Sequence, residues 1–153
     1  MSDFPREPGA PFMVHIGAVL EEKREGYARL SLTVGPQHTN LFGYLHGGVL
    51  TAIMDSAIGI GLGRLRGEES RRGRPHATIE MNASFLTNAA PGDEIVAEGQ
   101  VIRLGRTVAF GESEARRRSD GKVLAKARLT FAIGTARSSG RSRETAGVST
   151  DDS

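Results

Sequence analysis

Two glycines and a carboxylate near the middle of the chain have the types and spacing that acyl transfer needs. Gly47 and Gly48 follow His46, and the apolar run Val49–Leu62 that comes next contains a single charged residue, Asp55. A helix that is apolar on every side is a buried helix, and a carboxylate inside it is costly unless it is paired or used in chemistry. The free backbone N–H groups at the start of such a helix can bind an anion or a developing oxyanion. The spacing therefore predicts an acid–base group and oxyanion donors on one helix.

The composition is that of a single small domain. With 153 residues, of which 38% are hydrophobic and 25% are charged, the chain is long enough for a modest core. The absence of cysteine excludes disulfides, zinc–thiolate sites and a thiol nucleophile, and it favours a cytoplasmic location. The net charge is only +2, so charge gives no support for nucleic-acid binding. No signal peptide is expected in residues 1–11, and Val49–Leu62 is too short and too glycine-rich for a membrane span.

Alternation of apolar and polar residues predicts several strands around the central helix. The predicted strands are Gly26–Val34, His76–Leu86, Glu94–Leu104, Thr107–Arg117 and Val123–Ile133. The segment Phe12–Leu20 is apolar enough for a short helix or a strand, and its type stays open. A basic loop is expected at Arg64–Arg74, and Asp120-Gly121 predicts a tight hairpin between the last two strands.

This order of elements predicts an α+β fold of the hotdog type, in which an antiparallel β-sheet wraps around one long central apolar α-helix. One helix covers only one face of a sheet, so an apolar surface is left for a second copy and a dimer is the smallest stable unit. The single domain is expected at residues 12–134, after a flexible lead of residues 1–11. The tail, residues 135–153, has almost nothing to bury and is expected to be disordered.

The residues before and inside the predicted helix resemble those of the PaaI-type hotdog acyl-CoA thioesterases. In that family an Asn stands six residues before the His of a His-Gly-Gly motif and an Asp nine residues after it, as Asn40, His46 and Asp55 do here. The segment Ala77–Asn82 also resembles the family's strand after the helix, and the similarity covers residues 12–133. The joint spacing is more specific than His-Gly-Gly alone.

The resemblance implies a role for each of five residues. Gly47 offers its backbone N–H to the thioester carbonyl, where the helix dipole also favours negative charge. Asn40 helps to fix this geometry or the thioester. Asp55 activates water as a general base or attacks directly to form an anhydride, and both routes stay open. Thr78 orients the attacking water, and His46 positions the loop and the helix start.

Coenzyme A is expected to bind near the turn that contains Arg106 and Thr107, and at Gly48. The family tends to place coenzyme A near this turn, and arginine suits bidentate contacts with phosphate. Most other arginines are expected to be solvated surface residues. Taken singly, each candidate site residue has a structural explanation, such as a helix entry for the glycines or a turn for Asn40. The functional interpretation depends on their order and spacing together.

The two halves of the predicted site are too far apart to serve one substrate in one chain. Eight helical residues separate Gly47 from Asp55 by about 12 Å, so a homodimer with composite sites is expected, assembled as a dimer of dimers. The predicted function is hydrolysis of an acyl- or aryl-acyl-CoA, with no metal, redox cofactor, nucleic acid or membrane as partner.

Two other functions stay open at the sequence level. A hotdog hydratase or dehydratase would need a His paired with Asp or Glu near the helix, where Asp55 stands alone. A non-catalytic acyl-CoA sensor would be expected to lose the acid. The run Gly59–Gly63 resembles a nucleotide-binding loop but falls late in a helix, and the four histidines lack the spacing of metal ligands.

Overall fold

A computed structural model describes residues 10–67 and 74–134 of the chain. The expected tail, 135–153, and most of the expected lead lie outside the described residues. In chain order the elements are α1 (Pro11–His15), β1 (Val19–Arg24), β2 (Tyr27–Thr33), a short 3-10 helix (Pro36–His38), α2 (Gly47–Arg66), β3 (His76–Phe85), β4 (Glu94–Leu104), β5 (Val108–Arg117) and β6 (Val123–Ile133).

The six strands form one antiparallel sheet in the order β1-β2-β4-β5-β6-β3, and α2 packs against it. This confirms the predicted hotdog architecture. The ambiguous segment Phe12–Leu20 divides into α1 and the start of β1, which the alternation pattern does not predict. None of the six residues of β1 is fully buried, because β1 is an edge strand, and so its sequence carries charges instead of an apolar face.

The apolar side of α2 supplies the centre of the core. Its fully buried residues are Ile53, Met54, Ala57, Ile58 and Leu62. The sheet approaches the helix closely at Gly99 and Gly111, where a Cβ atom would come within 2.4 Å of Ile58. By length and composition α2 could cross a membrane, but this buried side identifies it as the core helix of the domain.

Both the length and the burial of α2 differ from the sequence prediction. The helix continues to Arg66 and ends at Gly67, so the first residues of the predicted basic loop Arg64–Arg74 belong to the helix. Residues 68–73 of that loop lie outside the described part. The helix is also not buried on every side, because one side is only partly covered in the single chain. The partly exposed residues on that side include Ala52, Asp55, Ser56, Gly59 and Ile60.

A β-bulge in β3 changes which side chains face α2. Strict alternation would place Thr78 on the outer face of the sheet, together with Glu80. The pairing with β6 instead shifts register between Thr78 and Glu80, leaving Ile79 without a partner. As a result Thr78 lies on the helix side, where Met81 also packs against the core.

Gly61 allows the β1–β2 hairpin to pack directly on α2. A Cβ atom at this position would lie 2.6 Å from the backbone nitrogen of Tyr27, and the Gly26 N–H donates to the Gly61 carbonyl. We expect Gly61→Ala to lower the free energy of unfolding by about 1–3 kcal/mol, since backbone cannot yield as a side chain can. Urea denaturation at fixed protein concentration measures this change.

The matched control is Gly59→Ala, two residues earlier in the same helix. There the nearest atom to an added Cβ is 3.8 Å away, an ordinary contact. This variant should be as stable as the wild type, or more stable by up to about 1 kcal/mol, because alanine favours helix. Equal stability of the two variants would contradict the close-packing explanation.

Candidate active site

His46 and the two glycines form the start of α2. His46 is the N-cap, and its Nδ1 accepts a hydrogen bond from the Gly48 N–H at 2.8 Å. Gly47 is the first helical residue, and among the described residues its N–H has no hydrogen-bond partner. Gly47 also lies against Phe85 of β3, and an added Cβ would meet the ring at 2.9 Å. The geometry therefore leaves Gly47, not Gly48, as the available backbone donor.

Asn40 organises the loop that leads into this helix. Its side-chain oxygen accepts from the backbone N–H groups of Phe42, at 2.9 Å, and Tyr44, at 3.3 Å. The backbone of Asn40 exchanges further hydrogen bonds with Tyr44 and Gly43, which has φ 78°. These bonds close a hairpin-like turn before His46. Within the described residues, the side-chain NH2 group of Asn40 has no hydrogen-bond acceptor.

His38 is a buried residue that holds the same loop in place, a role that was not predicted from the sequence. The side chain is 4% exposed. Its Nδ1 accepts from the Gly35 N–H at 2.9 Å, so the neutral ring donates from Nε2 to the Ile16 carbonyl, also at 2.9 Å. Its own carbonyl accepts from the His46 N–H at 2.8 Å. No local pattern marks His38, because its partners come from three separate segments.

Asp55 and Thr78 meet between the middle of α2 and the bulge of β3. The Thr78 hydroxyl donates to an Asp55 carboxylate oxygen at 2.5 Å. Asp55 is only partly buried and Thr78 is exposed in the single chain, so the pair is accessible from the side that the sheet does not cover. A hydroxyl that donates to a carboxylate still has lone pairs with which to accept a hydrogen bond from water. The pair can therefore hold a water molecule beside a base.

The predicted site residues thus fall into two groups. Asn40, His46 and Gly47 lie together at the N-terminus of α2, and Asp55 lies with Thr78 two helical turns further on. The rise of an α-helix separates Gly47 from Asp55 by about 12 Å along the axis. Within one chain the Gly47 N–H and the Asp55 carboxylate are too far apart to contact the same carbonyl group.

Arg106 and Thr107 lie in the turn between β4 and β5, and both are exposed. The Thr107 carbonyl accepts from the N–H of Ile133, and Ile133 pairs with His76 at the start of β3. The turn is therefore at the same end of the sheet as His76, two residues before Thr78. This places the predicted coenzyme A contacts nearer to the Asp55 group than sequence distance suggests.

His76 is a further ionisable group close to Asp55. Its ring is packed edge-on against Phe131, with centroids 5.9 Å apart, and its Nδ1 is 3.1 Å from a guanidinium nitrogen of Arg66. Burial, and then the neighbouring Arg66 charge, lower the pKa of His76 below its ordinary value, so the ring is neutral at neutral pH. Among the described residues, no group of three or more His, Cys, Asp or Glu side chains could hold a metal ion.

Comparison with known proteins identifies the family of the chain. The family described as the thioesterase superfamily matches residues 42–124. Mouse acyl-coenzyme A thioesterase 13 is 32% identical over 103 residues, which are 67% of this chain and 70% of the mouse protein.

Solved structures are similar along most of the chain. Zebra fish thioesterase superfamily member 2 is 28% identical, with a TM-score of 0.71 over 84% of this chain and 88% of its own. The E. coli PaaI protein from the phenylacetic acid degradation operon is 21% identical, with a TM-score of 0.74 over 84% and 87% of the two chains, and it supports the fold alone.

Proposed function

Because the chain belongs to the thioesterase superfamily and is a thioester hydrolase, we propose that it hydrolyses an acyl- or aryl-acyl-coenzyme A to the free acid and coenzyme A. The observation that carries the proposal is the hydrogen bond from Thr78 to Asp55 at 2.5 Å. A carboxylate and a hydroxyl that can orient water are thus in contact on an accessible side of the central helix. Nothing in this arrangement depends on the length of the acyl chain.

The reaction can follow either of two routes at Asp55. As a general base, Asp55 takes a proton from water while the hydroxide attacks the thioester carbonyl carbon. The C–S bond then breaks, and the thiolate of coenzyme A takes the proton back. As a nucleophile, Asp55 attacks the carbonyl itself, and the thiolate leaves. Water then hydrolyses the resulting mixed anhydride to the free acid and the original carboxylate.

In both routes the carbonyl oxygen becomes negatively charged and needs a preorganised donor. The free Gly47 N–H at the helix N-terminus supplies one, and the helix dipole adds a favourable field. One such donor typically lowers the activation free energy by roughly 3–4 kcal/mol. Asn40 and His46 act on the same donor, because the first shapes the loop before the helix and the second caps it.

A second copy of the chain brings the two groups together. Gly47 lies beside Phe85, and Asp55 lies beside Thr78. The positions of Phe85 and Thr78 along the edge strand β3 therefore show where the two groups lie. If β3 pairs antiparallel with its copy about a two-fold axis at Asn82, the register shift after Thr78 puts Phe85 of each chain opposite the partner's Thr78. Each Gly47 then approaches the partner's Asp55. The exposure of Ile79 (61%) and Phe85 (54%) on this unpaired edge favours such an interface.

The same geometry argues against a hydratase or dehydratase. That chemistry would need a histidine free to exchange a proton with the substrate beside Asp55. The nearest histidine, His76, has its Nδ1 occupied by Arg66, and its Nε2 faces the backbone of α2 at Gly59. Its ring is therefore turned toward its own chain.

The test is release of free thiol from a panel of acyl-CoAs with short, medium, long, branched and aromatic acyl groups. We expect at least one thioester to be hydrolysed in proportion to enzyme concentration. The matched control is Glu112→Gln, a change on the exposed outer face of β5, which should leave the rate unchanged. Binding of acyl-CoAs without thiol release from any of them would favour the sensor function and reject the hydrolase.

A further inference from the structure

His76 meets α2 at two points beside the proposed base, at Arg66 and at Gly59. An arginine only donates hydrogen bonds, so Nδ1 of His76, at 3.1 Å from Arg66, must be the acceptor. The neutral ring therefore carries its proton on Nε2. This Nε2 atom faces Gly59 of α2, since a Cβ added at Gly59 would lie 3.8 Å from it.

These contacts run parallel to the bond between Thr78 and Asp55. Gly59 is one helical turn after Asp55, a rise of about 6 Å. Thr78 is two residues after His76, and two residues of a strand span about 6.6 Å. The spacing of His76 and Thr78 along β3 therefore matches the spacing of Gly59 and Asp55 along α2.

We infer that His76 is a positioning residue, which holds the start of β3 on α2 so that the Thr78 hydroxyl stays on Asp55. The inference rests on the proposed function. The need for such a support follows from the bulge, because the pairing with β6 is interrupted immediately after Thr78. On the other side of Thr78, the Arg66 guanidinium of α2 holds the chain at two points, the His76 ring and the Arg74 carbonyl, of which His76 is the one within the strand. A displacement of about 1 Å at a reacting group can lower a rate by about a hundredfold.

The support depends on a neutral ring. Among the described residues, the charged groups that face His76 are Arg66 and Asp55, both on α2. Burial and then the Arg66 charge lower its pKa from 6.5, and together they outweigh the Gly59 backbone and Asp55, which raise it. A protonated ring cannot accept from Arg66, and it would place a second cation against the guanidinium. The contacts are thus present above pH 6.5 and are lost as the pH falls through the lowered pKa.

The test combines single and double variants. We expect His76→Ala to lower kcat by about tenfold, the worth of one hydrogen bond, with KM changed less than about twofold. His76→Gln, which keeps a donor and an acceptor, should recover most of this loss. Since His76 acts through Thr78, the double variant His76→Ala/Thr78→Ala should be no slower than Thr78→Ala alone. If the fold losses in kcat of the two single variants multiply in the double variant, the inference is wrong. An unchanged kcat in His76→Ala would also overturn it.

The pH profile gives a readout that a purely structural role would not change. As the pH falls from 7.5 through the lowered pKa of His76, the rate of His76→Gln relative to wild type should rise, because glutamine does not titrate. A constant ratio would count against the inference.

Hydrogen–deuterium exchange separates this inference from the proposed function. Peptides from β3 should exchange faster in His76→Ala than in wild type and His76→Gln. If no thioester is hydrolysed, the proposed function fails, and exchange alone still decides whether His76 anchors the strand. Equal exchange in all three proteins would reject the anchor.

Discussion

Asp55→Asn is expected to lower kcat at least about a hundredfold on whichever acyl-CoA the wild type hydrolyses, the scale of removing a general base. Asparagine has nearly the same shape as aspartate, and its oxygen can still accept from the Thr78 hydroxyl. It can neither take a proton from water at neutral pH nor form the anhydride. Steady-state thiol release measures the effect, and circular dichroism checks that the variant folds.

Two comparisons make this result specific to the carboxylate. Glu112→Gln removes a carboxylate from the outer face of the sheet and should leave kcat unchanged. Thr78→Ala should retain more activity than Asp55→Asn, because it removes the support of the base and not the base. Full activity of Asp55→Asn on a good substrate would show that Asp55 has no catalytic role.

Mixed dimers of two inactive variants should regain roughly a quarter of the wild-type activity, if each site is built from two chains. Asn40→Ala damages the group that contains Gly47, and Asp55→Ala removes the base. Each homodimer has both sites damaged. In a mixed dimer one site collects both changes and the other collects neither. Random exchange makes half of the dimers mixed, and each has one intact site out of two.

The measurement is thiol release by the coexpressed variants, with mass spectrometry to count the mixed dimers. The control is coexpression of two differently tagged copies of Asn40→Ala, whose dimers should stay inactive. Mixed dimers that form in the expected proportion and remain inactive would show that each chain carries a complete site of its own. The proposed pairing of β3 with its copy would then also be wrong.

The elements themselves could be predicted from the sequence, because their signals are local. Apolar periodicity located α2 and five of the six strands, and the order of these elements was enough for the hotdog architecture. The sequence also identified Asp55, since a lone charge in an apolar helix is evident without coordinates. The roles of Asn40 and Gly47 needed the family resemblance, because an asparagine in a turn or a glycine at a helix start is common in any fold.

The tertiary structure decided how these residues are arranged relative to one another. Alternation alone would turn Thr78 away from the helix, and only the bulge at Ile79 brings its hydroxyl to Asp55. The resemblance already pointed to the Gly47 N–H, and the structure supplies the reason: His46 accepts from the Gly48 N–H, while no described residue accepts from that of Gly47. The position of His76 beside the candidate site depends on its contact with Arg66 of α2, a different element. The physical reason is the same in each case: a hydrogen bond depends on angles and distances of a few tenths of an ångström, which arise from the packing of segments far apart in the chain.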